Sequence, residues 1–156
     1  MATLTQMLDG MAAFFLDKEE IKQKIGQRMQ DTIAEQRIVA LESPNDERSP
    51  RLQQFVEYRD VGETVGRLKS AESAMVFTNV EVNCYAQFPR DARALLELFF
   101  AQFTKNKYSG TWTDAQGNTV KVKGAHWDRA TRNTDYDDTA RLSVASCVLT
   151  VPWLQR

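Results

Sequence analysis

The densest group of chemically capable side chains is Asn133-Thr134-Asp135-Tyr136-Asp137-Asp138, with three carboxylates in four residues. Carboxylate oxygens in such a run can hold a hard cation such as Ca²⁺ or Mg²⁺. The run lacks the alternating ligand positions, central glycine and closing glutamate of an EF-hand loop. Two other readings stand beside the metal: a solvated loop whose Asp and Asn side chains bond their own backbone, and an acidic edge that meets basic residues of a partner. His126, the chain's single histidine, lies beside Trp127 and Asp128. In a strand, His126 and Asp128 share a face, but no Ser or Cys nucleophile stands in sequence where a base would activate it.

Cys84 and Cys147 are far apart, without CxxC or Cys/His spacing, so no zinc site is expected. Each falls in an apolar strand pattern, as a small buried hydrophobe or as half of a disulfide between neighbouring strands. Phosphate-binding glycine loops, HExxH and GxSxG are absent from the sequence, and no cofactor is expected. Trp112, Trp127 and Trp153 lie near Lys121, Lys123, Arg129 and Arg132. Rings interleaved with cations stack single-stranded nucleic acid, or else pack in a core with the cations snorkelling outward. Trp153, after Pro152, is the best single contact anchor, a large amphipathic ring on a terminal segment that is either tucked down or docked elsewhere.

The elements that must carry these groups follow from spacing. Leu4, Met7, Leu8, Met11, Phe14 and Phe15, then Ile21, Ile25, Met29 and Ile33, predict helix from Thr3 to Glu35. Asp17 with Glu20 forms a candidate capping box, which places a second helix start at Asp17. Arg37 to Leu41 reads as a strand or a helix tail. Ser43 to Arg51, with two Ser-Pro steps and four polar residues between them, predicts a surface loop that is mobile or held only by a partner. Gln54 to Thr64 reads as a strand, with a turn or bulge at Gly62 and Gly66.

From Ala74 to Phe88 alternation is clear. Val76, Thr78, Val80, Val82, Cys84, Ala86 and Phe88 form the dry face, and Asn79, Glu81, Asn83 and Gln87 the wet one. Pro89 and Asp91 then open a helix predicted to run from Arg90 to Thr104. Its surplus of Leu95, Leu96, Leu98, Phe99, Phe100 and Phe103 asks for a second covering partner besides the sheet, either the N-terminal helix or another subunit. A hairpin pairs Ser109 to Thr113 with Thr119 to Trp127. A central strand runs from Ala140 to Val151 and ends at Pro152.

The expected fold is therefore α+β, with N-terminal helices and an antiparallel β-sheet carrying one apolar helix. Its 156 residues make one domain: residues 1–36 helical, 43–51 a surface loop, and 74–151 a β-α-β core. Twenty Lys and Arg against 21 Asp and Glu leave a net charge of −1, which disfavours a DNA-coating or membrane-surface role. No apolar run approaches the roughly 20 residues that span a bilayer. The N-terminus lacks the basic start and cleavage site of a secretory signal, so cytoplasmic synthesis is expected.

The strand from Val80 to Ala86, the switch Phe88-Pro89-Arg90-Asp91-Ala92 into an apolar helix, and the closing stretch from Asp137 to Ser146 resemble the neck and tail-completion proteins of tailed bacteriophages, in particular the tail terminator family. The resemblance covers residues 74 to 151. It implies a non-enzymatic virion subunit of the tail or neck, an α+β fold and a homo-oligomeric ring, a hexamer in that family. The implied partners are further copies of the chain, the tail tube, the sheath as a further candidate, and a neck or head-completion protein, with genome DNA passing through the lumen unread. Asp135, Tyr136, Asp137, Asp138, Phe99, Phe103 and Trp153 are the candidate interface residues. A head-tail adaptor, stopper or baseplate component is the nearest alternative. A small ligand-binding or enzyme module with a cavity between sheet and helix is the alternative from another class.

Overall fold

The computed structural model describes residues 2–25, 28–31, 36–39, 54–67, 74–139 and 141–155. Helix α1 (Leu4–Leu16) starts at Thr3, whose hydroxyl accepts the Gln6 N–H at 3.2 Å while Gln6 Oε1 accepts the Thr3 N–H at 3.1 Å. This reciprocal cap satisfies two backbone donors that the first helical turn leaves unpaired. Helix α2 (Glu19–Ile25) follows, and the chain then pairs β1 (Arg28–Asp31) with β2 (Gln36–Val39). Helix therefore stops well short of Glu35. Met29 lies in a strand, because antiparallel pairing through β2 to the rest of the sheet outweighs a local four-residue spacing.

The expected capping box at Asp17 is also corrected. Asp17 has helical backbone angles (φ −72°, ψ −13°) and its own N–H bonds back to Ala13, so it closes α1. An N-cap needs an extended backbone.

Strand β3 (Phe55–Arg67) pairs with β4 (Ala74–Ala86), and the register slips between Asp60 and Gly62, so the bulge anticipated at Gly62 is present. Helix α3 (Pro89–Phe100) leads through a 3-10 turn at Thr104–Asn106 into β5 (Lys107–Thr113), β6 (Thr119–Asp137) and β7 (Leu142–Leu154). The described strands form one antiparallel sheet in the order β1-β2-β3-β4-β7-β6-β5. The architecture is α+β, as the sequence predicts. The segment from Ser43 to Arg51, expected as a surface loop, lies outside the described residues.

The core lies between the helices and one sheet face. Val76, Val80, Val82 and Cys84 of β4 point into it with Ala145, Cys147, Leu149 and Val151 of β7. Phe88 is an exception to the dry-face reading, 52% exposed where it caps α3. Helix α3 packs on β4, β6 and β7, and α1 on β5 and β6. The second partner that α3 requires comes from within the chain: Phe15 of α1 meets Phe99 at 4.8 Å between ring centroids. The helix ends at Phe100, short of Thr104, and Lys105 and Asn106 then take left-handed angles (φ 52° and 62°) that turn the chain into β5. The Asn106 amide holds that turn by donating to the Trp127 carbonyl at 2.9 Å.

Pro152 does not end β7. The Val148 N–H bonds Thr131 of β6, so alternation along β7 turns the Pro152 nitrogen toward β6 as well. There the β6 register slips between Val122 and His126, and a residue without an N–H costs no ladder bond.

Candidate interaction surface

Asp135, Tyr136 and Asp137 lie on a strand and not in a loop. Beyond Asp128 the β6 register with β7 slips, and Thr131 fills the gap: its hydroxyl donates to the Asp128 carbonyl at 2.7 Å and accepts the Val148 N–H at 2.8 Å. Pairing resumes at Asn133–Ser146 and continues through Asp135–Val144 to Asp137–Leu142. The same alternation that orients Val148 turns the backbone groups of Thr134 and Tyr136 away from β7, to the outer side of β6. The Asp135 carboxylate takes up the Tyr136 N–H at 2.8 Å, and Asp137 accepts from the Thr139 N–H at 2.9 Å in the turn that carries Asp138. Tyr136 is 55% exposed, with Asp135 and Asp138 exposed beside it. The arrangement is an acidic hairpin tip on paired strands.

The other three interface candidates are not at the surface. Phe99, Phe103 and Trp153 are 1%, 4% and 1% exposed, packed in the chain's own core. Trp153 is the tucked-down alternative, with its indole N–H donating to the Thr78 hydroxyl at 2.9 Å. Trp112 and Trp127 are equally buried, so none of the three indoles can stack a nucleic-acid base. Of the neighbouring cations, Arg129 lies 3.9 Å from the Phe100 ring centre, and Arg132 pairs with Glu97 of α3. The aromatic and basic residues thus meet in packing, with the cations outermost.

His126 Nδ1 lies 3.0 Å from the Gly124 carbonyl, and Asp128 accepts the Ala130 N–H at 3.2 Å, so the two do not form a pair. Cys84 and Cys147 sit on adjacent strands with free thiols. Burial pushes the Cys84 thiol far up, with the neighbouring Cys147 adding to the shift. Burial also raises Cys147, whose thiol donates to the Asp128 carbonyl. Both are held as thiols, the unreactive form. Among the described residues no three His, Cys, Asp or Glu side chains converge as metal ligands, and no helix is long and apolar enough to cross a membrane.

Sequence reasoning missed how far the sheet face opposite the helices is organised. Arg59 of β3 pairs with Glu81 of β4 at 2.9 Å, and the Asn83 amide donates to the same carboxylate at 3.0 Å. The Thr150 hydroxyl donates to Asn79 at 2.9 Å. Phe77, 37% exposed, stands opposite Pro152, and Phe55 and Tyr85 stack at 4.5 Å farther along. The alternation in β4 already separated this face from the core; the strand register that joins it to β3, β6 and β7 is not written in any one segment. No protein-family model and no curated protein matches the sequence.

Proposed function

We propose that the chain is a structural virion subunit: a tail terminator that forms a ring between the tail tube and the head-proximal neck and acts without catalysis. The observation that carries this reading is the acidic β6–β7 tip, where Asp135, Tyr136 and Asp138 are exposed on a strand-built arm. Charges fixed on paired strands set the register and orientation of a neighbouring subunit more than they stabilise the monomer.

In this reading the ring closes through head-to-tail contacts between copies. One rim binds the tail tube and its sheath and the other the neck protein, while genome DNA passes through the lumen without sequence recognition. The site of action is the virion, after synthesis in the host cytoplasm. The test is the native mass of the purified protein alone and with isolated tail tubes. A closed multiple of the chain mass on the tubes supports the ring. A strict monomer that ignores tubes and carries one bound metabolite per chain rejects it.

A further inference from the structure

Strand β6 outruns its outer neighbour. Strand β5 pairs with it only as far as Lys107–His126, whereas pairing with β7 continues to Asp137–Leu142. Among the described residues nothing pairs with the outer edge of β6 beyond His126, and every residue from Asp128 to Tyr136 is exposed. The backbone groups of Asn133, Asp135 and Asp137 face β7, so the N–H of Thr134 and the carbonyls of Thr134 and Tyr136 point outward. The Tyr136 N–H, on the same side, is held by the Asp135 carboxylate at 2.8 Å, and that bond keeps the Asp135 charge at the edge itself.

The two sides of this edge carry opposite charges. Thr134 is the Cα partner of Ala145, a core residue, which puts Thr134 on the helix side, and alternation puts Arg132 and Tyr136 there with it. Arg132 reaches Glu97 of α3 on that side, and the Arg129 guanidinium lies over Phe100. Asn133, Asp135 and Asp137 stand on the other side. A free edge is a template for one more strand: backbone bonds supply the affinity of such an addition, and alternate side chains supply its specificity. The same edge of a second copy does not fit, because antiparallel pairing centred on Asp135, the middle of the regular stretch Asn133 to Asp137, sets that carboxylate against its own mate.

We infer that this edge takes up an extended basic segment of another protein, with Lys or Arg at alternate positions facing Asp135 and its neighbours and an acid on the opposite side facing Arg132. Added antiparallel, as the rest of the sheet is built, the residue opposite Thr134 exchanges both of its backbone bonds with it, and an apolar residue lies against the Tyr136 ring, which is 55% exposed. Of the described strands only β6 carries two bases at the required spacing, Lys121 and Lys123, and there it is already paired with β5. The segment therefore comes from a different protein. The inference rests on the geometry of the edge and not on the tail-terminator reading, which it extends by making the contact at the acidic tip a shared sheet.

Fluorescence anisotropy of a labelled peptide containing Lys-Val-Lys-Thr-Lys-Glu, titrated with the purified full chain at low salt, tests the pairing. Antiparallel to β6, its lysines stand opposite Asp137, Asp135 and Asn133 and its glutamate opposite Arg132. The wild type is expected to bind it. Asp135→Lys should weaken binding about tenfold, and a peptide of the same composition with its lysines adjacent should bind as weakly. Methylating the backbone nitrogen of the peptide's threonine, which faces Thr134, should abolish binding whatever the state of any protein variant. Thr134→Pro should do the same at an unchanged melting temperature, since the nitrogen it blocks makes no bond to β7. Bound peptide should also slow hydrogen exchange at the Thr134 amide. Absence of binding, or binding that ignores the order of the lysines and the added methyl group, overturns the inference. A chain of closed-ring mass that does not bind the peptide keeps the ring reading and loses this one; a monomer that binds it does the reverse.

Discussion

Asp114 shows how one side chain fixes a turn. Its carboxylate accepts the Gln116 and Asn118 N–H groups at 3.0 and 2.8 Å and the Asn118 amide at 3.0 Å. The Asn118 amide first, and then the backbone donors, hold its carboxyl below the usual range against the opposing effect of burial. A depressed folded-state pKa contributes stability that is present above the ordinary Asp value near pH 4 and is lost as pH falls through the lower folded value. The melting temperature of the wild type should therefore fall more steeply below pH 4 than that of Asp114→Ala, which starts lower at neutral pH. Identical acid limbs in the two would remove the turn from the account.

Burial decides two further substitutions. Val82 is 1% exposed, whereas Glu81 lies on the open face beside Arg59. Val82→Asp should cost about 3 kcal/mol or more, through an unpaired buried carboxylate, and Glu81→Ala less than about 1 kcal/mol. Urea midpoints measure both, and equal shifts would mean the two faces of β4 are misassigned. These faces were legible from alternation alone. The fate of Trp153 was not: a large ring near a chain end fits a surface anchor as well as a core plug, and only the Thr78 hydroxyl on the neighbouring strand selects the second.

At the scale of elements, α1 seats on β5 where Gly10 meets Trp112. A Cβ at Gly10 would stand 3.1 Å from the Trp112 Cβ, which belongs to the strand and cannot swing aside. Gly10→Ala gains roughly 1 kcal/mol of helix propensity but crowds a packed contact at a cost of about 2 kcal/mol. A small net loss, read as a lower melting temperature, is expected; a gain would mean that the contact between α1 and β5 yields. Strand β4, helix α3 and the β5–β6 hairpin were readable in sequence because each carries its own period and its own stop or turn residues. The N-terminal region was not. Four-residue spacing continues through Met29, and only pairing with a strand distant in sequence makes Arg28–Asp31 extended. The acidic tip was misread as a loop for a similar reason: Thr131 repairs the ladder at a slip that local composition does not show, and β6 runs on to Asp137.

For the whole molecule, the candidate site was legible in part. The acidic tip stands at the surface where charge composition pointed, while Phe99, Phe103 and Trp153 belong to the interior because α1 and the sheet enclose them. Charge reversal at Asp138, whose side chain is exposed, should weaken binding of the protein to tail tubes, more at low salt than at high salt, and leave the melting curve of the free chain in place, whereas reversal at Asp137 also removes the bond to the Thr139 N–H and should lower the melting temperature. Loss that is independent of salt, or a melting curve shifted by the Asp138 reversal, would argue against a steering role for the tip. The central claim is that the chain completes a tail by its geometry. Electron microscopy of particles assembled without this chain tests it most directly: tails of irregular length, or tails unattached to heads, are predicted, and normal infectious particles would contradict it.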